Sequence, residues 1–229
     1  MSLFAIADTH LSLSADKPMD IFMGWSDYVQ RLEKNWRAVV SEDDTVVIPG
    51  DVSWAMSLEE AQRDFEFLES LPGMKILMKG NHDYWWNTVK KMESFFCEKG
   101  FETLSIVHNS AKRVGDVSVC GTRGWFFDAE QDADKKVLLR EAGRLRTSIE
   151  AGLGLGGEAV VFLHYPPVTQ DRICPEIYDV LLEYGIKRCY YGHLHSFATK
   201  TAFNGERDGI NFSLISGDYL EFLPKLIEK

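Results

Sequence analysis

The sequence predicts a layered α/β domain, an αββα arrangement of two mixed sheets with helices outside, and three observations point to it. Short apolar runs rich in β-branched residues recur along the chain, and each ends abruptly in polar residues, the pattern of buried strands. Segments of helical period separate these runs. The last two runs lie close together like a hairpin, which adds antiparallel pairing and makes the sheets mixed. Spacing alone leaves one large sheet as the alternative.

The first run, residues 3–7, leads into Asp8, Thr9 and His10. A helix is expected over 24–41, where Trp25, Val29, Leu32, Trp36, Val39 and Val40 share a face. The run 45–49 leads into Gly50 and Asp51. Ser57 and Glu60 have the spacing of a capping box, which opens a helix turning Ala61, Phe65 and Leu68 inward. The run 75–78 leads into Gly80, Asn81, His82 and Asp83, and a helix is expected over 85–99. The run 117–120 leads into Gly121, Thr122 and Arg123. A fourth helix follows Asp132, with Leu138, Ala142, Leu145 and Ile149 on its inner face. The run 159–163 leads into His164, and Pro175 suits the first turn of a short helix. The run 188–191 leads into Gly192, His193, Leu194 and His195. A closing pair of strands is expected over 199–203 and 210–215.

A chain of 229 residues reads as one domain over 1–229. Folding at this size buries roughly 70% of the unfolded surface, so no disulfide or structural metal is needed. The net charge of -10 argues against broad nucleic-acid binding, which depends on basic patches. Carboxylates covered by divalent cations would leave the site itself electropositive. Cys97, Cys120, Cys174 and Cys189 form no CxxC pair and read as reduced thiols. The N-terminus has no basic leader pattern, and no run approaches the roughly 20 apolar residues of a membrane span. A cytoplasmic protein is expected, and nothing in the residues sets its oligomeric state.

Five of the six histidines, His10, His82, His164, His193 and His195, sit at or just beyond an expected strand end. In α/β sheets ligands bind beyond the C-terminal strand ends. Asp8, Asp51 and Asn81 share that edge. Clustered carboxylates repel one another unless cations neutralise them, so the constellation needs metal. Its donors exceed what one ion uses, which implies two. Nitrogen and oxygen donors without thiolate suit manganese, iron, zinc, cobalt or nickel, with manganese favoured. Two ions about 3.5–4 Å apart need a bridging anion, and Asp51, flanked by small residues, can place one oxygen on each.

The ordered set Asp8-x-His10, Gly50-Asp51, Gly80-Asn81-His82-Asp83, His164 and Gly192-His193-x-His195 resembles the calcineurin-like metallophosphoesterase superfamily. A single block says little; the five in order, each after an expected strand, are specific. The resemblance implies that Asp8, His10, Asp51 and His195 hold one metal. Asp51, Asn81, His164 and His193 then hold the other, with Asp51 as the bridge. It implies that His82 is the general acid or a transition-state contact, oriented or polarised by Asp83. The family's fold, a double β-sandwich flanked by helices, agrees with the layered reading. The implied activity is hydrolysis of a small phosphomonoester or phosphodiester by in-line attack of metal-bound hydroxide, with inversion at phosphorus.

Departures narrow the subclass. Eukaryotic-type Ser/Thr protein phosphatases resemble GDxVDRG and GNHE where this chain has GDVSWAM and GNHD. The phosphate-binding arginine of the former is missing. Purple acid phosphatases place a metal-binding tyrosine where Trp54 stands. The block His164 to Pro167 is closer to small bacterial or archaeal phosphohydrolases. Specificity is expected from Trp54, from Tyr84, Trp85 and Trp86, from Arg123 and from Trp125, Phe126 and Phe127. Arg123 could clamp a phosphate oxygen. The segment 123–152 reads as a cap or, preferably, as a solvated outer helix. Rival readings are a nuclease, a pyrophosphohydrolase acting on a nucleotide-linked lipid, and a non-catalytic metal-binding scaffold.

Overall fold

The computed structural model describes residues 1–125 and 132–229. In chain order the elements are β1 (Leu3–Ala5), α1 (Tyr28–Val39), β2 (Thr45–Pro49), α2 (Gln62–Glu69), β3 (Met74–Met78), α3 (Val89–Lys99) and β4 (Leu104–Ile106). Then follow β5 (Lys112–Val114), β6 (Val117–Thr122), α4 (Asp132–Leu155), β7 (Glu158–Leu163), α5 (Pro175–Glu183) and β8 (Arg188–Tyr191). A 3₁₀ segment (Ser196–Thr201), β9 (Gly205–Arg207), β10 (Ile210–Leu214) and β11 (Lys225–Glu228) complete it.

The strands form two sheets, ordered β11-β1-β2-β3-β4 and β5-β6-β7-β8-β10-β9. Each sheet is mixed: its inner pairs are parallel, and antiparallel pairing is confined to the edges, β11 on β1, β5 on β6 and β9 on β10. Period-two alternation sends successive side chains to opposite faces. Leu3, Ala5 and Ala7 therefore face the second sheet, in a core shared with Val119, Val160 and Phe162. Phe4 and Ile6 face outward, against Leu32, Trp36, Phe65 and Phe96 of the first helical layer. On the far side Cys120, Val161 and Leu163 pack against Leu138, Leu145, Ile149 and Leu181. The result is helix, sheet, sheet, helix, as expected. Leu138, Leu145 and Ile149 place α4 in that outer layer. No described helix is long and apolar enough to cross a membrane.

Several boundaries differ from expectation for identifiable reasons. α1 begins at Tyr28 instead of 24, because Gly24 and Asp27 have φ of 90° and 52° and break the helical backbone. Glu60 accepts from the amide of Met56 while Ser57 Oγ accepts from the amide of Glu60. The two therefore close a turn, and the regular helix waits until Gln62. α3 starts at Val89, where Thr88 is extended and its hydroxyl caps Lys91 N. The strand expected over 199–203 is replaced by the 3₁₀ segment. There the hydroxyls of Thr199 and Thr201 bond back to the carbonyls of Ser196 and Ala198, which competes with extended pairing. β10 pairs instead with β9 and β8.

Candidate metal centre

The C-terminal ends of β1, β2, β3, β7 and β8 bring the expected site residues to one edge. Backbone hydrogen bonds stitch their loops together: Asp8 N to Gly50 O, His10 N to Asp51 O, and Gly192 N to His164 O, at 3.0, 2.9 and 3.1 Å. The turns are sharp. Asp8, His10, Asp51 and His193 have φ of 59°, 43°, 50° and 71°, a conformation that costs a side-chain-bearing residue about 1 kcal/mol or more and clusters at functional sites. Two glycines permit the crowding. A Cβ at Gly80 would collide with the amide and carboxylate of Asp51, and one at Gly192 with the carboxylate of Asp8.

Two groups of donor atoms result, Asp8 with His10 and His195, and Asp51 with His164 and His193, each within 4.8 Å. His10 Nε2 lies 3.3 Å from His195 Nε2, a contact between two like atoms. His195 Nε2 is 3.5 Å from Asp8 Oδ1. Asp51 Oδ2 is 3.6 Å from His10 Nε2 and 3.5 Å from His164 Nε2. His164 Nε2 also meets Asn81 Oδ1 at 2.7 Å. Bonds of about 2.0–2.2 Å to one ion place neighbouring donors roughly 3.0–3.6 Å apart, so most of these separations are those of atoms sharing a cation. Asp8 Oδ1 and Asp51 Oδ2 are buried without a hydrogen-bond partner, an expensive state unless something positive faces them. The other oxygens are spent, Asp8 Oδ2 on His193 N and Asp51 Oδ1 on His82 N. The residues present fit two divalent metals.

The electrostatics agree. Burial pushes the Asp8 carboxyl up, but His195, His164 and His10 overcome it and hold it below the ordinary 3.8. Asp51 lies well above 3.8 because of burial, then Asp83 and Asp8. Burial and the charge of His195 bring His10 down to about 3, and burial brings His193 to about 4. His164 falls well below 6.5, again chiefly by burial. Imidazoles kept neutral are ready metal ligands. His195 departs from this pattern: burial lowers it, but Asp8 and Asp218 raise it to about 10.

Other expected residues fare differently. His82 is half-buried at the same edge, with its ring 4.3 Å from that of Trp54 and its Nδ1 3.3 Å from the Tyr84 hydroxyl. Asp83, expected to orient His82, is spent elsewhere. Its Oδ2 accepts from Asp51 N and Gly80 N, and its Oδ1 from Val52 N, Ser53 N and the Trp85 indole. It clamps the two ligand-bearing loops together. Trp85, expected near substrate, is buried in the core against Phe65 at 5.0 Å, so that expectation is corrected. Trp54 does reach the site and stacks on His10 at 5.0 Å. Arg123 lies over the Trp125 ring at 4.9 Å, and its carbonyl accepts from Tyr165 N, next to His164. Phe126 and Phe127 lie outside the described residues.

One residue was missed. Asp218 bonds His195 Nδ1 at 2.9 Å through Oδ1 and Ser196 N at 2.8 Å through Oδ2, orienting the imidazole. The signal was present: Gly217 and Asp218 follow the strand expected over 210–215 as Gly50 and Asp51 follow theirs.

A family model described as calcineurin-like phosphoesterase matches residues 1–197. No curated protein matches the chain in sequence. Among solved structures, a protein of unknown function from Aquifex aeolicus is 14% identical with a TM-score of 0.54, over 98% of this chain and 95% of that one. Phosphopantetheinyl hydrolase from Mycobacterium tuberculosis is 15% identical with a TM-score of 0.55, over 99% and 95%. A Thermus thermophilus protein is 12% identical with a TM-score of 0.54, over 87% and 85%. At these identities the likeness is one of fold.

Proposed function

The chain belongs to the calcineurin-like phosphoesterase family, hydrolases of phosphoric esters that depend on two metal ions, and on that premise we propose that it cleaves a small phosphomonoester or phosphodiester by direct in-line hydrolysis. The observation that supports this most is Asp51 Oδ2, buried, unpartnered and about equally far from His10 Nε2 and His164 Nε2. In this reading Asp8, His10, Asp51 and His195 hold one metal, and Asp51, Asn81, His164 and His193 hold the other. Bound there, divalent cations neutralise phosphoryl oxygens and make hydroxide available near neutral pH; manganese is favoured.

The chain's own residues do the rest. Asp83 holds the loops of Asp51 and Asn81 in register. Asp218 holds the ring of His195. His82 stands off both donor groups, its ring tilted against that of Trp54, where it protonates the departing alkoxide. In the protonated ring both nitrogens carry a proton: Nδ1 donates to the Tyr84 hydroxyl, 3.3 Å away, and the Nε2 proton is the one given up.

A second reading of the substrate has its own observation. A pocket of about 270 Å³ over His10, His82 and His195 is walled by Met19, Phe22, Trp25 and Trp54. Ile21 and Met23 beside it are 75% and 70% exposed. That favours an ester of an apolar alcohol, a nucleotide-linked lipid included, and activity that responds to detergent would support it.

The test is manganese-supplemented hydrolysis of bis-p-nitrophenyl phosphate beside p-nitrophenyl phosphate, with Asp51→Asn as control. Hydrolysis by the wild type that the variant loses supports the reading, and the preferred compound separates diesterase from monoesterase. Hydrolysis that survives Asp51→Asn, or none in protein holding two metals, counts against it.

A further inference from the structure

A second cavity, of about 460 Å³, lies beside the metal centre, and its wall includes Lys79, Trp86, His108, Arg123, Glu141, Arg144 and the start of α3. Lys79 comes two residues before Asn81. Arg123 is joined to the metal edge through Tyr165, whose ring lies 5.1 Å from that of His164 and 4.4 Å from that of His193.

The charges in this wall do not balance. Among the described residues Glu141 is the one carboxylate in it, and it is already spent, accepting from the Thr122 hydroxyl at 2.6 Å and from Arg144 at 2.5 Å. Lys79 has no hydrogen bond or ion pair among the described residues. Arg123 Nε and Trp86 Nε1 are both buried donors without a partner. Lys79, Arg123 and Arg144 share this wall, so cations crowd here in a chain whose net charge is -10. Unpaired buried donors and cations are costly. An oxyanion would satisfy them together, with the first amides of α3 adding to the attraction.

We propose that this cavity is a phosphate subsite, and that the substrate cleaved at the metal centre carries a second phosphoryl group which seats there. The substrate part of this inference rests on the proposed phosphoesterase function; the subsite does not.

The test therefore uses chelator-treated protein at pH 7.5, titrated with inorganic phosphate by calorimetry. The chelator removes metals that would bind phosphate themselves, so binding that depends on Arg123 and Lys79 reports the cavity. Saturable binding is expected, weakened about tenfold or more in Arg123→Ala and in Lys79→Gln, since each removes a charge-assisted contact. Arg123→Lys should retain most of it, and melting curves show that each variant is folded. Asp51→Asn should bind as the metal-free wild type does. No binding, equal binding in all variants, or binding lost only in Asp51→Asn overturns the proposal. Equal affinity for acetate overturns its assignment to phosphate. Because no hydrolysis is read, failure of this titration and failure of the esterase assay are separate results.

Discussion

The two flanks of the metal centre differ in kind. On one side Met19, Phe22, Trp25 and Trp54 present aromatic and thioether surface to His10 and His82. On the other, Lys79, Arg123 and Arg144 surround a cavity whose one carboxylate among the described residues is already paired. The residues between them are those of the family blocks, and their spacing is set by chemistry that any phosphate ester would share. The flanks are where this chain differs, and they ask for opposite things: an apolar group at one end of the ester and a second anion at the other. That asymmetry suggests an order of experiments, beginning with the centre on which both flanks depend.

The largest effect is expected from Asp51→Asn. Its Oδ2 belongs to both donor sets, so its loss should weaken metal binding by more than the roughly 10–100-fold that outer-shell partners are worth. Metal content per chain, measured by elemental analysis, should fall below two, and turnover should fall with it. Two retained metals would mean that Asp51 does not join the two sets, and the flanks would then have no common centre.

His82→Ala comes next, and it separates chemistry from metal binding. Both metals should remain, while kcat falls by about 10²–10⁴-fold, the usual worth of a general acid. The loss should be smaller for p-nitrophenyl esters, whose leaving group needs no proton. Metal content that falls in parallel would move His82 into the donor set.

What could be read from the sequence follows the same division. The strand-end ligands were legible because metal chemistry restricts residue type, and glycines such as Gly80 and Gly192 are required by contact with Asp51 and Asp8. The layered fold was legible because period-two and helical patterns alternate. Roles that depend on backbone partners were not. Asp83 follows His82 in sequence, yet its partners are amides of Gly80, Asp51, Val52 and Ser53, and an amide has no letter. Trp54 and Trp85 look alike as exposed-aromatic candidates, but chain direction turns one onto His10 and the other onto Phe65. The cationic cavity gathers Lys79, His108, Arg123 and Arg144 from four segments, and only the fold brings them together.

Trp54→Ala tests the apolar flank alone. Removing its ring from the wall should raise KM for esters of apolar alcohols by roughly five- to tenfold, a loss of about 1 kcal/mol or slightly more. Phosphate binding by the metal-free protein should not change. A variant that weakens phosphate binding as strongly as Arg123→Ala would show that the two flanks are one surface.

The smallest effect is the most local. His108 sits in the cationic wall, and its titration reports the charge there. Burial lowers its pKa below the ordinary 6.5; Arg144 and Lys79 lower it further, and Glu141 opposes them. The sign follows from linkage. A histidine depressed in the folded state binds fewer protons than the unfolded chain, so its contribution to stability is present above pH 6.5 and is lost as pH falls through the folded pKa. A phosphate seated among Lys79, Arg123 and Arg144 brings negative charge to the ring and should raise the midpoint. In metal-free protein the His108 ring signals, followed by NMR between pH 4 and about 8, should shift to a higher midpoint with phosphate and much less with acetate. Lys79→Gln should raise the midpoint without any anion, because it removes a repelling charge, and should blunt the response to phosphate. Trp54→Ala should leave both curves unmoved. If phosphate binds and the His108 midpoint stays where it was, the anion sits elsewhere, and the cationic flank loses its claim to a second phosphoryl group.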